Sequence, residues 1–172
     1  MDKPNVIVVY TDEHNYKTIE AYLPLLDESQ RHPWGENVTL TTSNLNKLGQ
    51  QGVLMNRCYV TTLVNTPSRS SVMTGLYTQK TNCTMNDLVL DVTLPTMATD
   101  DNVGQILTTL SKEQLDEKTI IVFTSDHGDM CGEHGRVDKS VPMESSMKVP
   151  FMVYAPFMLP QGHVVEEAVS NM

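Results

Sequence analysis

"TIIVFTSDHG", residues 119–128, decides how this chain folds. It begins as a strand-type segment with an unbroken apolar run and ends in a polar turn. A run without alternation has no solvent face, so it reads as a strand buried on both sides, as in an α/β sheet. "NVIVVY", residues 5–10, has the same form and gives way to polar residues from Thr11 onward. In open α/β sheets, ligands gather beyond the carboxyl ends of the strands. The two strand ends here carry "YTDEH" and "TSDHGD", which place Asp12, Glu13, His14, Asp126, His127 and Asp129 at that edge. If the strands are neighbours, Asp12, Glu13, Asp126 and His127 converge on one point. Three carboxylates and one imidazole suit a hard or borderline divalent cation such as Ca²⁺, Mg²⁺ or Mn²⁺. A strand-end Asp also serves commonly as a helix cap. Two acidic clusters, each directly behind a buried strand, favour the metal.

The remaining chain fits the same architecture. "TSNLNKLGQQG", residues 42–52, reads as a helix with Ser43 as N-cap and Gly52 as its stop. "VLMNRCYV", residues 53–60, reads as a strand. "PSRSSVMTG" reads as a helix with Pro67 in the first turn and Gly75 at the end. Residues 100–115 place Val103, Ile106, Leu107 and Leu110 at helical spacing. "VPFMVYAP", residues 149–156, is a further strand. Residues 20–42 read as an irregular excursion, and residues 82–99 as loop. Strands alternating with helices predict an α/β fold, a mostly parallel sheet flanked by helices.

Composition narrows the classes. With 172 residues, 40% hydrophobic and 19% charged, the chain suits one domain spanning 1–172. Its net charge of −9 speaks against nucleic acid as a partner and offers no long-range pull on an anion. Cys58, Cys83 and Cys131 show no paired spacing, so neither a disulfide framework nor a structural zinc site is expected. No apolar run is long enough to span a membrane, and "MDKPNVIVVY" lacks a signal-peptide layout, so a cytoplasmic location is the expectation from these residues.

"TPSRSSVMTGLY" points further. Arg69 falls in the first turn of a helix, where a guanidinium and free backbone N–H groups together suit a tetrahedral anion. Lys139, in "GRVDKSVPME", and His134, in "GEHG", read by themselves as an ordinary lysine and a loop histidine. In order and spacing, "PNVIVVYTDEH", "TPSRSSVMTGLY", "DDNVGQIL", "TIIVFTSDHGDMCGEHG" and "KVPFMVYAP" resemble the sulfatase family of the alkaline phosphatase superfamily. The Asp-His pair in "SDHG" is similar to the bacterial sulfatase and phosphonate monoester hydrolase branch. The resemblance implies an alkaline-phosphatase-like fold and metal-dependent hydrolysis of a small anionic sulfate ester. It also implies Asp12, Asp126 and His127 as metal ligands, with Glu13 at or beside the metal. Arg69 would orient nucleophile and sulfate, and Lys139 would contact the sulfate or the leaving oxygen. Family members are often exported.

Three departures qualify what the resemblance implies. The nucleophile position, where the family oxidises a Cys or Ser to formylglycine, is Asn65, so no formylglycine is expected there. Thr66 supplies the adjacent hydroxyl but is one position out of register. The Gly-Lys-Trp-His element that follows the signature helix in the family is missing, and an internal deletion is expected near residues 99–100. The C-terminal subdomain of the family is likewise expected to be absent. Exposed sheet edges would then favour self-association. Two other classes stay open beside a sulfuric ester hydrolase. One is a non-catalytic metal- or anion-binding protein; the other is a metal-dependent phosphodiester or phosphonate hydrolase.

Overall fold

The two strands that carry the acidic clusters lie side by side. β1 (Asn5–Thr11) and β3 (Thr119–Ser125) pair in parallel from Asn5 opposite Thr119 to Thr11 opposite Ser125. The structure is a computed structural model and describes residues 3–32, 35, 41–81, 96–131, 133–136 and 139–171. With β2 (Val53–Tyr59), β4 (Phe151–Tyr154) and β5 (His163–Ser170), it forms a five-stranded sheet in the order β1-β3-β4-β2-β5. β4 is antiparallel to both neighbours, and β2 pairs in parallel with β5. Four strands therefore share one direction and only β4 opposes them, so the sheet is mixed but mostly parallel.

The helices are α1 (Ser43–Gln51), α2 (Asn65–Thr74), the short α3 (Thr78–Thr81), α4 (Thr96–Lys112) and α5 (Glu144–Met147). The main core lies between the sheet and α1, α4 and the turns after β1. Leu45, Leu48, Val103, Leu110, Ile121, Phe123 and Met152 are buried there with Tyr16 and Tyr22. Burying a side chain such as Leu or Phe contributes about 1.5–3 kcal/mol. These residues stabilise the platform that fixes the strand ends.

Several sequence expectations are corrected. The N-cap of α1 is Thr42 rather than Ser43, and Thr42 makes no side-chain cap bond. The carboxylate of Asp100, on α4, does that work: it accepts from Asn44 N at 3.0 Å and Leu45 N at 2.7 Å. The loop expected over 82–99 is overturned at its end, because α4 starts at Thr96 and runs without a break through 99–100. The rest of that loop, residues 82–95, lies outside the described residues. The irregular excursion after residue 20 contains two 3₁₀ turns, Glu20–Leu25 and Glu28–Gln30. β5 was not foreseen. Glu166 and Glu167 interrupt its apolar pattern, and most of the strand is exposed.

Candidate metal and anion site

Parallel pairing of β1 with β3 sets the site. Because Thr11 lies opposite Ser125, the next residues, Asp12 and Asp126, leave the sheet together. One ligand atom from each of Asp12, Asp126 and His127 lies within 4.8 Å of the others. Asp126 and His127 are fully buried. Asp126 is held by backbone donors: Glu13 N at 3.1 Å and His127 N at 2.9 Å both reach Oδ1. Burial, with the Asp12 carboxylate beside it, pushes the Asp126 carboxyl up to about 6, against the pull of His127 and Arg69. A carboxylate raised in this way is one that a cation would stabilise.

α2 closes the site from the other side. Residues three and four apart share a helix face, so Asn65, Ser68 and Arg69 point together. The Asn65 Nδ2 donates to Asp12 Oδ1 at 3.0 Å, and its Oδ1 lies 2.8 Å from His127 Nε2. Ser68 Oγ donates to the Asp126 carbonyl at 2.6 Å and pins the helix to the strand end. Arg69 reaches Asp12 Oδ1 at 2.8 Å and Asp126 Oδ2 at 3.1 Å, with 36% of its side chain exposed. Thr66, one residue along from Asn65, is turned to solvent instead. Gly75 ends the helix in the left-handed conformation, φ 66°.

Lys139 pairs with the Glu13 carboxylate. Burial pulls the Lys139 ammonium below its ordinary range, partly offset by Asp12. Glu13 sits at φ 52°, a conformation that costs energy for a residue with a side chain, and it turns its carboxylate to Lys139. His134 is exposed, also with positive φ, in the turn Glu133–Gly135; it is not in the ligand group. Sequence reasoning missed the supporting hydroxyls and amides. Ser125 Oγ accepts from His14 N at 3.0 Å and lies 2.9 Å from the His127 carbonyl. Asn171 Nδ2 holds the Ser125 carbonyl at 3.0 Å. Gly128 lets the loop pass so close to α5 that a Cβ there would lie 2.0 Å from the Ser145 carbonyl. The bonds to His14 and Asn171 and the approach to Ser145 carry no local signal, because those partners are distant in sequence.

The donor set fits a divalent cation. His127 Nδ1 lies 2.8 Å from the Gly128 carbonyl, which can only accept, so Nδ1 carries the proton. The His127 Nε2 faces the Asn65 amide oxygen at 2.8 Å, with Asp126 Oδ2 at 3.8 Å. This is the arrangement of a metal-ligating histidine oriented by a backbone carbonyl.

Comparisons with known proteins follow the same line. Residues 96–172 match the Sulfatase family model. An arylsulfatase of Clostridium perfringens is 43% identical over 63 residues, 37% of this chain and 13% of that protein. A choline-sulfatase of Rhizobium meliloti is 40% identical over 65 residues, 38% of this chain and again 13% of its own length. The matched stretch thus spans a small part of these relatives. Among solved structures, one in complex with its substrate D-glucosamine-2-N,6-O-disulfate superposes with TM-score 0.78 at 12% identity, over 99% of this chain and 74% of that one. The phosphonate monoester hydrolase of Agrobacterium radiobacter does so with TM-score 0.78 at 13% identity, over 98% and 71%. At such identities the structures show the fold, which is the alkaline-phosphatase-like α/β architecture.

Proposed function

Taking the chain as a sulfatase-family member of the alkaline phosphatase superfamily, we propose that it is a cation-dependent site for a sulfate ester that forms no covalent intermediate. The observation that carries this reading is Asn65. Its carboxamide sits between Asp12 and His127, where a nucleophile of the family would stand. An amide nitrogen has no free lone pair for attack, and Asn cannot be oxidised to formylglycine.

Asp12, Asp126 and His127 would hold the cation, Ca²⁺ first and Mg²⁺ or Mn²⁺ as alternatives. When bound, it supplies positive charge against the sulfuryl oxygens. Arg69 contributes a second positive group from the first turn of α2, and its partly exposed fork can present two N–H donors to the ester. Lys139 supplies a third charge from the opposite loop.

The test is titration calorimetry with an aryl sulfate in the presence of Ca²⁺, followed by a chromogenic turnover assay. Binding that is lost in Arg69→Ala, with negligible turnover, is expected. Turnover near that of the arylsulfatases would overturn the reading. Turnover of a phosphonate monoester but not of the sulfate would transfer the site to the phosphonate branch.

A further inference from the structure

We propose that Lys17 is a positioning residue for the anion: through a buried ion pair with Glu133 it fixes the loop that presents Lys139. The proposal rests on the reading above, in which Lys139 contributes charge to a sulfate-ester site, and deepens it.

The turn after β1 grips that loop at three alternate residues. Glu13 pairs with Lys139. Asn15 Nδ2 donates to the Asp129 carbonyl at 2.7 Å. Lys17 Nζ reaches Glu133 Oε2 at 2.6 Å and donates to Ser145 Oγ at 3.3 Å. Between them, His14 packs on Phe123 and Tyr16 sits in the main core, so the turn is anchored to the platform. The three contacts differ in depth. The side chains of Lys17 and Glu133 are 4% and 14% exposed, against 35% for Glu13. A shielded pair is screened less than one in water. An anion arriving at Lys139 competes with the Glu13 carboxylate, so that contact is the one exchanged. Asn15 and Lys17 lie outside the ligand group and keep their hold.

The loop needs holding. Cys131, His134 and Ser140 have φ of 47°, 52° and 71°. This left-handed region costs energy for a residue with a side chain and persists where the surroundings enforce it. Glu133 lies among these residues. Its Oε2 takes the Lys17 ammonium, and its Oε1 is buried without a hydrogen bond among the described residues. A buried carboxylate that loses its cationic partner is strongly disfavoured. Removing Lys17 therefore expels Glu133 and frees the loop. Lysines are almost never fully buried unless paired, and here the pair joins the strand end to the segment that leads to Lys139.

The test is titration calorimetry with an aryl sulfate in the presence of Ca²⁺, on the wild type, Lys17→Met, Lys139→Met and the double variant. Immobilising one long side chain is worth roughly two- to tenfold in affinity, and Lys17→Met should weaken the aryl sulfate by about that factor. In the Lys139→Met background the same change should have no effect, because no charge is left to position. An equal loss in both backgrounds marks a purely structural lysine and overturns the proposal, as does unchanged affinity in Lys17→Met. An arginine-specific protease reads the loop separately, without ligand. Arg136 is exposed and its amide bonds to the Glu133 carbonyl. Cleavage after Arg136 should be slow in the wild type and severalfold faster in Lys17→Met; equal rates also overturn the proposal. If the wild type binds no aryl sulfate, the reading above falls and the anion role of Lys17 with it, while the protease rates still tell whether Lys17 holds the loop. If Lys17→Met does not fold, Glu133→Gln replaces it in both arms, since it weakens the same contact and leaves no buried carboxylate unpaired.

Discussion

His14 and Asp126 are both buried at the ends of the paired strands, and their burial acts in opposite directions. His14 packs edge-on against Phe123 at 5.6 Å between ring centres. Burial pulls its imidazole from 6.5 down to about 4. The unfolded chain therefore takes up that proton first, and stability falls as pH drops from 6.5 to 4. Asp126 goes the other way: burial first, then Asp12, raise it from 3.8 to about 6. The folded chain takes up that proton first, and stability rises as pH drops from 6 to 3.8. Each shift of about two units is worth roughly 3 kcal/mol, so in the metal-free chain the two largely offset. Asp126→Asn removes one and exposes the other. We expect its urea midpoint to fall steeply between pH 6.5 and 4, while that of the wild type changes much less. Equal slopes for the two proteins would refute the assignment. At this scale the sequence is legible where chemistry follows a strand directly, as at Asp12, Asp126 and His127. Ser68 is not legible by register alone, because its role comes from the helix period that aligns it with Asn65 and Arg69.

Helices α1 and α4 show how an element can be stabilised from a distance. The spacing of Leu45, Leu48, Val103 and Leu110 is enough to infer both helices, since one apolar stripe repeats in each. What caps α1 is not inferable, because the donors at Asn44 and Leu45 are met by Asp100, more than fifty positions away. A side-chain oxygen at such a cap contributes about 1–2 kcal/mol, and a carboxylate beside a helix N-terminus adds to it. Asp100→Ala should therefore lower unfolding stability by roughly 2 kcal/mol, read from the denaturant midpoint at an unchanged slope. Asp101→Ala, on the exposed side of the same helix, is the control and should change little. If both variants behave alike, the cap is energetically idle. β5 was illegible for the opposite reason. Its residues alternate poorly, and its place is set by pairing with β2 rather than by its own pattern.

On the scale of the whole molecule, the unequal treatment of the two faces of β1 matters most. Ile7 and Val9 pack on the core, whereas Val6 and Val8 are 61% and 54% exposed on the other face. β1 is also an edge: among the described residues it pairs only with β3. An edge strand with exposed β-branched residues and no inward charge is a template for pairing with another chain. The net charge of −9 opposes that association, since like-charged copies repel. The two effects differ in range. Repulsion is screened beyond a Debye length of about 8 Å at physiological salt, while burial of apolar surface is not. Association should therefore strengthen with salt. We expect the sedimentation coefficient to rise with protein concentration, and to rise more at 0.5 M than at about 0.05 M NaCl. Val8→Lys places a charge on the exposed face, leaves Ile7 and Val9 in the core, and should hold the chain monomeric under both conditions. Salt-independent sedimentation of the wild type, or a Val8→Lys variant that associates as the wild type does, would remove β1 as the contact.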